Sequence, residues 1–282
     1  MNLAPEQRYG SESVWRDPKC FLADFFRDLG NSRELAWQLF LRNLKSRYRQ
    51  SITGYIWAFV PPLAWTGLFA ILRLQDPSRA DGQTGYIAHV MVGLVFWQVF
   101  IESVQIPMRT FSEARSMLAK LKFPRESLVL AGLLDVGLQF LIRLPLLIAG
   151  WLLFPEASAS AWWLLPGLLL GLLAVGTCIG IVLLPLSLLY QDVAPAAALA
   201  GGFWLLLTPV AHVPTSTGLM SAINQWNPAA VLIETTRAGW LGTPLLHIGA
   251  FVAVALGGVL IGVIAWLAAR IAFPHLIARF GS

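Results

Sequence analysis

Three polar residues four apart, Asp135, Gln139 and Arg143, interrupt the long apolar run Ser127–Phe154. On an α-helix, positions i, i+4 and i+8 spread over about 80°, so all three share one side. An ionised side chain in hydrocarbon costs about 2.5–3.5 kcal/mol on insertion scales, so these groups must turn to protein or water. Eight residues rise about 12 Å, too far for Asp135 to reach Arg143. Each therefore needs another partner, and a structural polar network and a polar substrate path remain equally open. Glu102 stands near the end of the preceding apolar run, and Asp192 is placed to N-cap the helix containing Pro195. Glu234 and Arg237, three apart, suit a local pair.

Enzyme chemistry finds few residues to stand on. None of the four lysines follows a glycine, so there is no Walker A cradle and no ATP hydrolysis by that route. No G-x-S-x-G and no aspartate pair for glycosyl transfer occurs. No Cys/His set has metal-ligand spacing, so neither catalytic residues nor a metal site are expected. Cys20 and Cys178 fall in different compartments and read as inert thiols. Transport is what remains, driven by a partner or by an ion gradient.

The elements that position these groups are membrane spans. The chain is 57% hydrophobic and 12% charged, with a mean hydropathy of +0.66, against about 25% charged in soluble domains. Spans of about 17–25 apolar residues fit 52–72, 86–106, 127–154, 162–189 and 245–269, with a shorter sixth at 193–211. The expected fold is all-α, a six-span membrane domain over 52–269, with a cytoplasmic arm at 1–51 and a tail at 270–282. Nine Lys/Arg lie in 1–51, five in 107–126 and two in 270–282, against Arg73, Arg79 and Arg237 on the other side. That bias places both termini in the cytoplasm. It also accounts for the pI near 9.6, so nucleic acid is not an expected partner. The polar first 20 residues do not read as a cleavable signal peptide.

Three segments outside the spans have structure of their own. In 33–50, Trp37, Phe40, Leu41, Leu44 and Tyr48 form one stripe, while Arg42, Lys45 and Arg49 occupy another face. This is an interfacial amphipathic helix at membrane lipids, either a simple anchor or a carrier of force into span 1. The stretch "TFSEARSMLAKLKFPRESL" (110–128) predicts a helix over 113–122. Ser112 is its cap, Glu113 lies in the first turn, Lys120 and Lys122 in the last, and Pro124 is the stop. Met117, Leu118 and Leu121 share one side, which reads either as a filled anchoring loop or as a docking surface. Residues 212–244 are too apolar for an exposed loop. Asn227-Pro228 opens a helix there and Gly242 ends it, so short outer helices dip back among the spans. Pro61-Pro62 is expected to kink span 1 or leave its carbonyls free for neighbours, and Trp162-Trp163 to sit in an aromatic belt.

The order of these features resembles the permease subunit of bacterial polysaccharide exporters, in the type-2 exporter branch of ABC transporters. "LFLRNLKSRYRQSITGYIWAFVPPL" (39–63) looks like that family's interface helix and first span. "MLAKLKFPRESLVLAGLLD" (117–135) looks like its coupling helix, "YQDVAPA" (190–196) like its link before span 5, and "NQWNPAAVLIETTRAGWLG" (224–242) like its outer segment. The resemblance implies a homodimer in the bacterial inner membrane with two copies of a separate ATPase subunit, which carries the ATP and Mg. It implies ATPase coupling through Glu113, Arg115, Met117, Leu118, Lys120, Leu121, Phe123, Pro124, Arg125 and Glu126. The outer segment with Asn227, Pro228, Glu234 and Arg237 would be a gate. Trp65, Phe69, Phe96, Trp97, Phe100 and Trp204 would supply stacking faces for a sugar polymer, or pack in the core. A polyprenyl-diphosphate-linked polymer of O-antigen type is the first choice of cargo. A drug, a small lipid or a gradient-driven substrate are the alternatives.

Overall fold

The computed structural model describes residues 18–49, 56–74, 83–120, 123–154, 156–210, 224 and 226–278. Nine α-helices lie among them: α1 (Pro18–Arg49), α2 (Val60–Leu74), α3 (Gln83–Glu113), α4 (Arg115–Lys120), α5 (Glu126–Leu153), α6 (Leu165–Leu189), α7 (Val193–Leu207), α8 (Pro228–Leu241) and α9 (Ile248–Ala278). The all-α expectation holds, for a lipid-facing chain has no water to satisfy open backbone groups and a helix satisfies its own. Five helical stretches are long and apolar enough to cross a membrane, and α7 is a shorter apolar helix.

Boundaries differ from expectation at informative places. Pro61 and Pro62 do not kink a span; they open α2 after a 3-10 turn at Ile56–Ala58. Proline is suited to a first turn, where its missing N–H has no partner to lose. α3 runs past the expected end of span 2 to Glu113, with Pro107 inside it. α9 continues through residues assigned to a tail, as far as Ala278. α1 extends 15 residues N-terminal of the expected amphipathic stretch.

α3 is the central post, flanked by α5 and α6, while α9 lies on α6, α1 on α5 and α2 on α3. Phe96, Phe100, Ile106 and Met108 of α3 are fully buried. Close approach to α6 depends on glycine: a Cβ at Gly176 would meet the Phe100 carbonyl at 2.9 Å, and one at Gly180 the Pro107 ring at 2.8 Å. Two apolar cores result. One gathers Phe96, Trp97, Phe100, Leu147, Leu172, Leu232 and Trp240. The other gathers Phe111, Leu118, Leu128, Leu184, Trp266 and Phe273 with Ala36, Leu39 and Phe40 of α1. These define two ends of the bundle, an α8 end and an α4 end.

Candidate functional site

The segment expected to couple to a partner sits at the α4 end, with a different inner geometry. Ser112 caps nothing, because α3 continues through it, and the chain breaks only at Ala114 before the six-residue α4. The apolar stripe turns inward. Leu118 is 8% exposed, and Met117 and Phe123 pack on the same core. Arg115 donates from Nη2 to the carbonyls of Ser187 and Leu188 at 3.2 and 3.3 Å, against the C-terminal end of the α6 dipole. Ser112 and Glu113 remain exposed. Leu121 and Lys122 lie outside the described residues, as does the side chain of Lys120. Leu118 as a docking contact is therefore corrected: it holds α4 to its own chain.

Glu126 is corrected likewise. It is 4% exposed, and its Oε1 accepts from Trp266 Nε1 at 3.3 Å and Arg270 Nε at 3.2 Å. The Arg125 guanidinium lies 4.7 Å over the Phe273 ring. Burial pulls Arg125 below the ordinary arginine range, with Glu126 opposing and Arg270 adding to the shift. Pro124 precedes α5, and its carbonyl accepts the Ser127 hydroxyl at 2.6 Å.

α1 lies against this end. Its buried face is Ser32, Ala36, Leu39 and Phe40, one turn-repeat of residues at i, i+4, i+7 and i+8. Trp37, expected in the apolar stripe, is 51% exposed, while Leu41 and Leu44 are half-buried. Arg42 and Lys45 are exposed, and the side chains of Tyr48 and Arg49 lie outside the described residues. Between α1, α3 and α5 is a cleft of about 260 Å³ lined by Phe40, Asn43, Ser46, Arg109, Thr110, Glu113 and Asp135.

Both charges of α5 find partners on α3. Asp135 accepts from Arg109 at 2.9 Å beside the cleft. Arg143, 5% exposed, binds both carboxylate oxygens of Glu102, at 2.9 and 2.5 Å, and donates from Nε to the Ala58 carbonyl at 3.2 Å. This fork ties the start of α2 to α3 and α5. Gln139 is half-buried between the two pairs. Asp192 does precede α7 but makes no side-chain cap bond.

The stacking residues divide. Phe96, Trp97 and Phe100 are buried in the core, where Trp204 meets Trp97 and Phe100 edge-on at 6.0 and 5.4 Å. As path-lining faces these three are corrected, since neighbours in the same chain already occupy their rings. Trp65, exposed on α2, stacks at 5.8 Å on Phe69, which is half-buried against the core.

At the α8 end, Asn227 caps α8 by accepting from Ala229 N at 3.1 Å. Its side chain also accepts from Trp204 Nε1 at 2.9 Å and donates to Thr208 Oγ1 at 3.0 Å. Pro228 occupies the first helical position and Gly242, at φ 74°, closes the helix. No ion pair joins Glu234 to Arg237 among the described residues. Arg237 instead donates to the Pro209 and Val210 carbonyls at 3.2 and 3.4 Å. Its guanidinium lies beside Gly93, ten residues into α3, or about 15 Å below that helix's start. α8 thus lies alongside α3 rather than beyond its end; residues 211–223 lie outside the described ones.

Several holding contacts went unread in the sequence. Trp162 stacks on Trp240 and meets Trp151 edge-on, with Trp162 Nε1 on the Trp240 carbonyl and Trp240 Nε1 on the Leu147 carbonyl, both at 2.9 Å. Trp266, Arg270 and Phe273 were visible only as an i, i+4, i+7 spacing in a helix otherwise apolar all round.

A bundle of five membrane-length apolar helices with a shorter sixth defines a multi-pass membrane protein. No protein-family model matches the chain. Among curated proteins it is similar to the O-antigen export system permease protein RfbA of Klebsiella pneumoniae, 26% identical over 206 residues, covering 70% of this chain and 76% of the relative. A second Klebsiella pneumoniae protein of that name is 24% identical over 206 residues with the same coverage. The Myxococcus xanthus protein of that name is 26% identical over 209 residues, covering 70% of this chain and 78% of the relative. These relatives support the resemblance to type-2 ABC exporter permeases.

Proposed function

We propose that the chain is the transmembrane subunit of an ATP-driven polysaccharide exporter. The observation that carries this reading is the similarity to O-antigen export permeases over 206 residues. Such a subunit conducts and performs no bond chemistry. Energy comes from two copies of a separate ATPase that hold ATP and Mg, on a homodimer of this chain with both termini in the cytoplasm. The ATPase meets the exposed side chains of Ser112 and Glu113 beside α4. The cargo is a polyprenyl-diphosphate-linked polymer. The similarity to O-antigen export permeases supports that choice.

The test is co-purification followed by transport. The chain alone is expected to hydrolyse no ATP and to recover an ATPase subunit from its host. The complex in proteoliposomes is expected to move a fluorescent polyprenyl-diphosphate oligosaccharide only with ATP. Transport driven by a proton gradient without nucleotide would sink the reading.

A further inference from the structure

The segment between α3 and α5 stands on α9 at both of its ends. On the leaving side, Phe111 stacks on Phe273 with ring centroids 5.3 Å apart and planes 8° apart, and meets Trp266 edge-on at 6.1 Å. On the returning side, the Glu126 carboxylate accepts from Trp266 and Arg270, and Arg125 covers the other contact, the Phe273 ring. Trp266, Arg270 and Phe273 fall at i, i+4 and i+7, so one stripe of one helix receives both feet. A buried ion pair is a costly way to gain stability, since apolar residues of similar volume commonly serve as well. Its direction and its penalty for separation suit a link that must not slip.

What α9 does beyond this contact points the same way. It is a single helix of 31 residues, about 46 Å long, that also touches α8. It is held laterally on α6, where a Cβ at Gly258 would meet Val175 at 3.0 Å and one at Gly262 would overlap Cys178. Gly258 and Gly262 are spaced as the small-residue pairs that bring membrane helices together. Few residues of α9 are fully buried within the chain.

We infer that Phe111 and Glu126, on either side of α4, form a bracket that hands displacement of α4 to α9, with α9 delivering it to α8 at the far end. Glu126, Arg270, Trp266 and Phe273 are then positioning residues of export, buried away from the ATPase. The inference rests on the proposed docking of an ATPase at α4, and its test separates the two. Wild type, Glu126→Gln, Arg270→Gln, Phe273→Leu and the exchanged pair Glu126→Arg/Arg270→Glu are compared as full complexes in proteoliposomes, with ATP hydrolysis and uptake of the fluorescent polyprenyl-diphosphate oligosaccharide read together. Each single variant is expected to retain the ATPase and hydrolyse ATP within about twofold of wild type, while uptake per ATP falls about tenfold. The exchanged pair is expected to recover most of that loss in uptake per ATP, and the loss at near-normal ATP hydrolysis is what a merely structural defect would not give. Phe273→Leu keeps an apolar side chain at the stripe and gives the same readout should a charge variant fail to accumulate. Unchanged uptake per ATP in the accumulating variants, or an exchanged pair no better than the singles, would overturn the bracket. A wild-type chain that recovers no ATPase would overturn the docking reading and the bracket with it.

Discussion

The two ends of the bundle are fastened by different chemistry. At the α8 end the fasteners are mainly neutral: indole N–H groups on the Leu147 and Trp240 carbonyls, and the Asn227 amide between Trp204 and Thr208, with Arg237 on two carbonyls as the cationic exception. At the α4 end they are ionic or cationic: Glu126 with Arg270, Arg109 with Asp135, Arg115 on the last carbonyls of α6. Neutral bonds to backbone fix a helix in one place whatever the surroundings. Ionic links respond to charge, water and partners, which suits the end where the chain is proposed to meet a motor. The difference separates an end built to hold from an end built to be moved.

The largest expected effect lies between the ends. Arg143→Met strands the Glu102 carboxylate and releases Ala58, at a cost of about 3–5 kcal/mol. Thermal unfolding in detergent should show it as a large fall in midpoint, and a shift no greater than that of an exposed pair would remove this node from the account. Next, Trp240→Ala should cost about 3 kcal/mol through lost packing at the α8 end. Trp240→Phe should cost about 1 kcal/mol for the lost bond to Leu147, and equal costs would mean that the indole N–H holds nothing. Asn227→Ala should cost about 1–2 kcal/mol as a lost helix cap that also frees Trp204. The smallest effect belongs to Arg109→Gln, under about 1 kcal/mol, because the pair is partly exposed. Raising salt should weaken Arg109–Asp135 and leave the Trp240 and Asn227 variants' differences unchanged. Equal salt response at both ends would erase the contrast.

Much of this was legible in the sequence, and the failures have physical causes. Span-length apolar runs, the Asn227-Pro228 start and the Gly242 stop state local rules that tertiary contacts did not override. The need of Asp135 and Arg143 for separate partners followed from helix rise, although nothing in one sequence names Arg109 or Glu102. The inward turn of Leu118 was not legible, because an amphipathic stripe shows that a face is buried without saying against which chain. Likewise the rings of Phe96, Trp97 and Phe100 look alike in sequence whether a polymer or Trp204 occupies them. Arg270 was read as tail because a hydropathy boundary ends where lipid ends, while the α9 helix continues beyond it.

α7 carries one further consequence. Its 15 residues reach about 22 Å, short of a hydrocarbon layer about 30 Å thick, and Leu199 and Phe203 on it face outward. Its neighbours α3 and α6 are 31 and 25 residues long. The apolar belt around the molecule therefore has a step in it. Thinning of the bilayer, snorkelling of flanking side chains or cover by a second copy relieves such a mismatch, at fractions of a kcal/mol for each ångström.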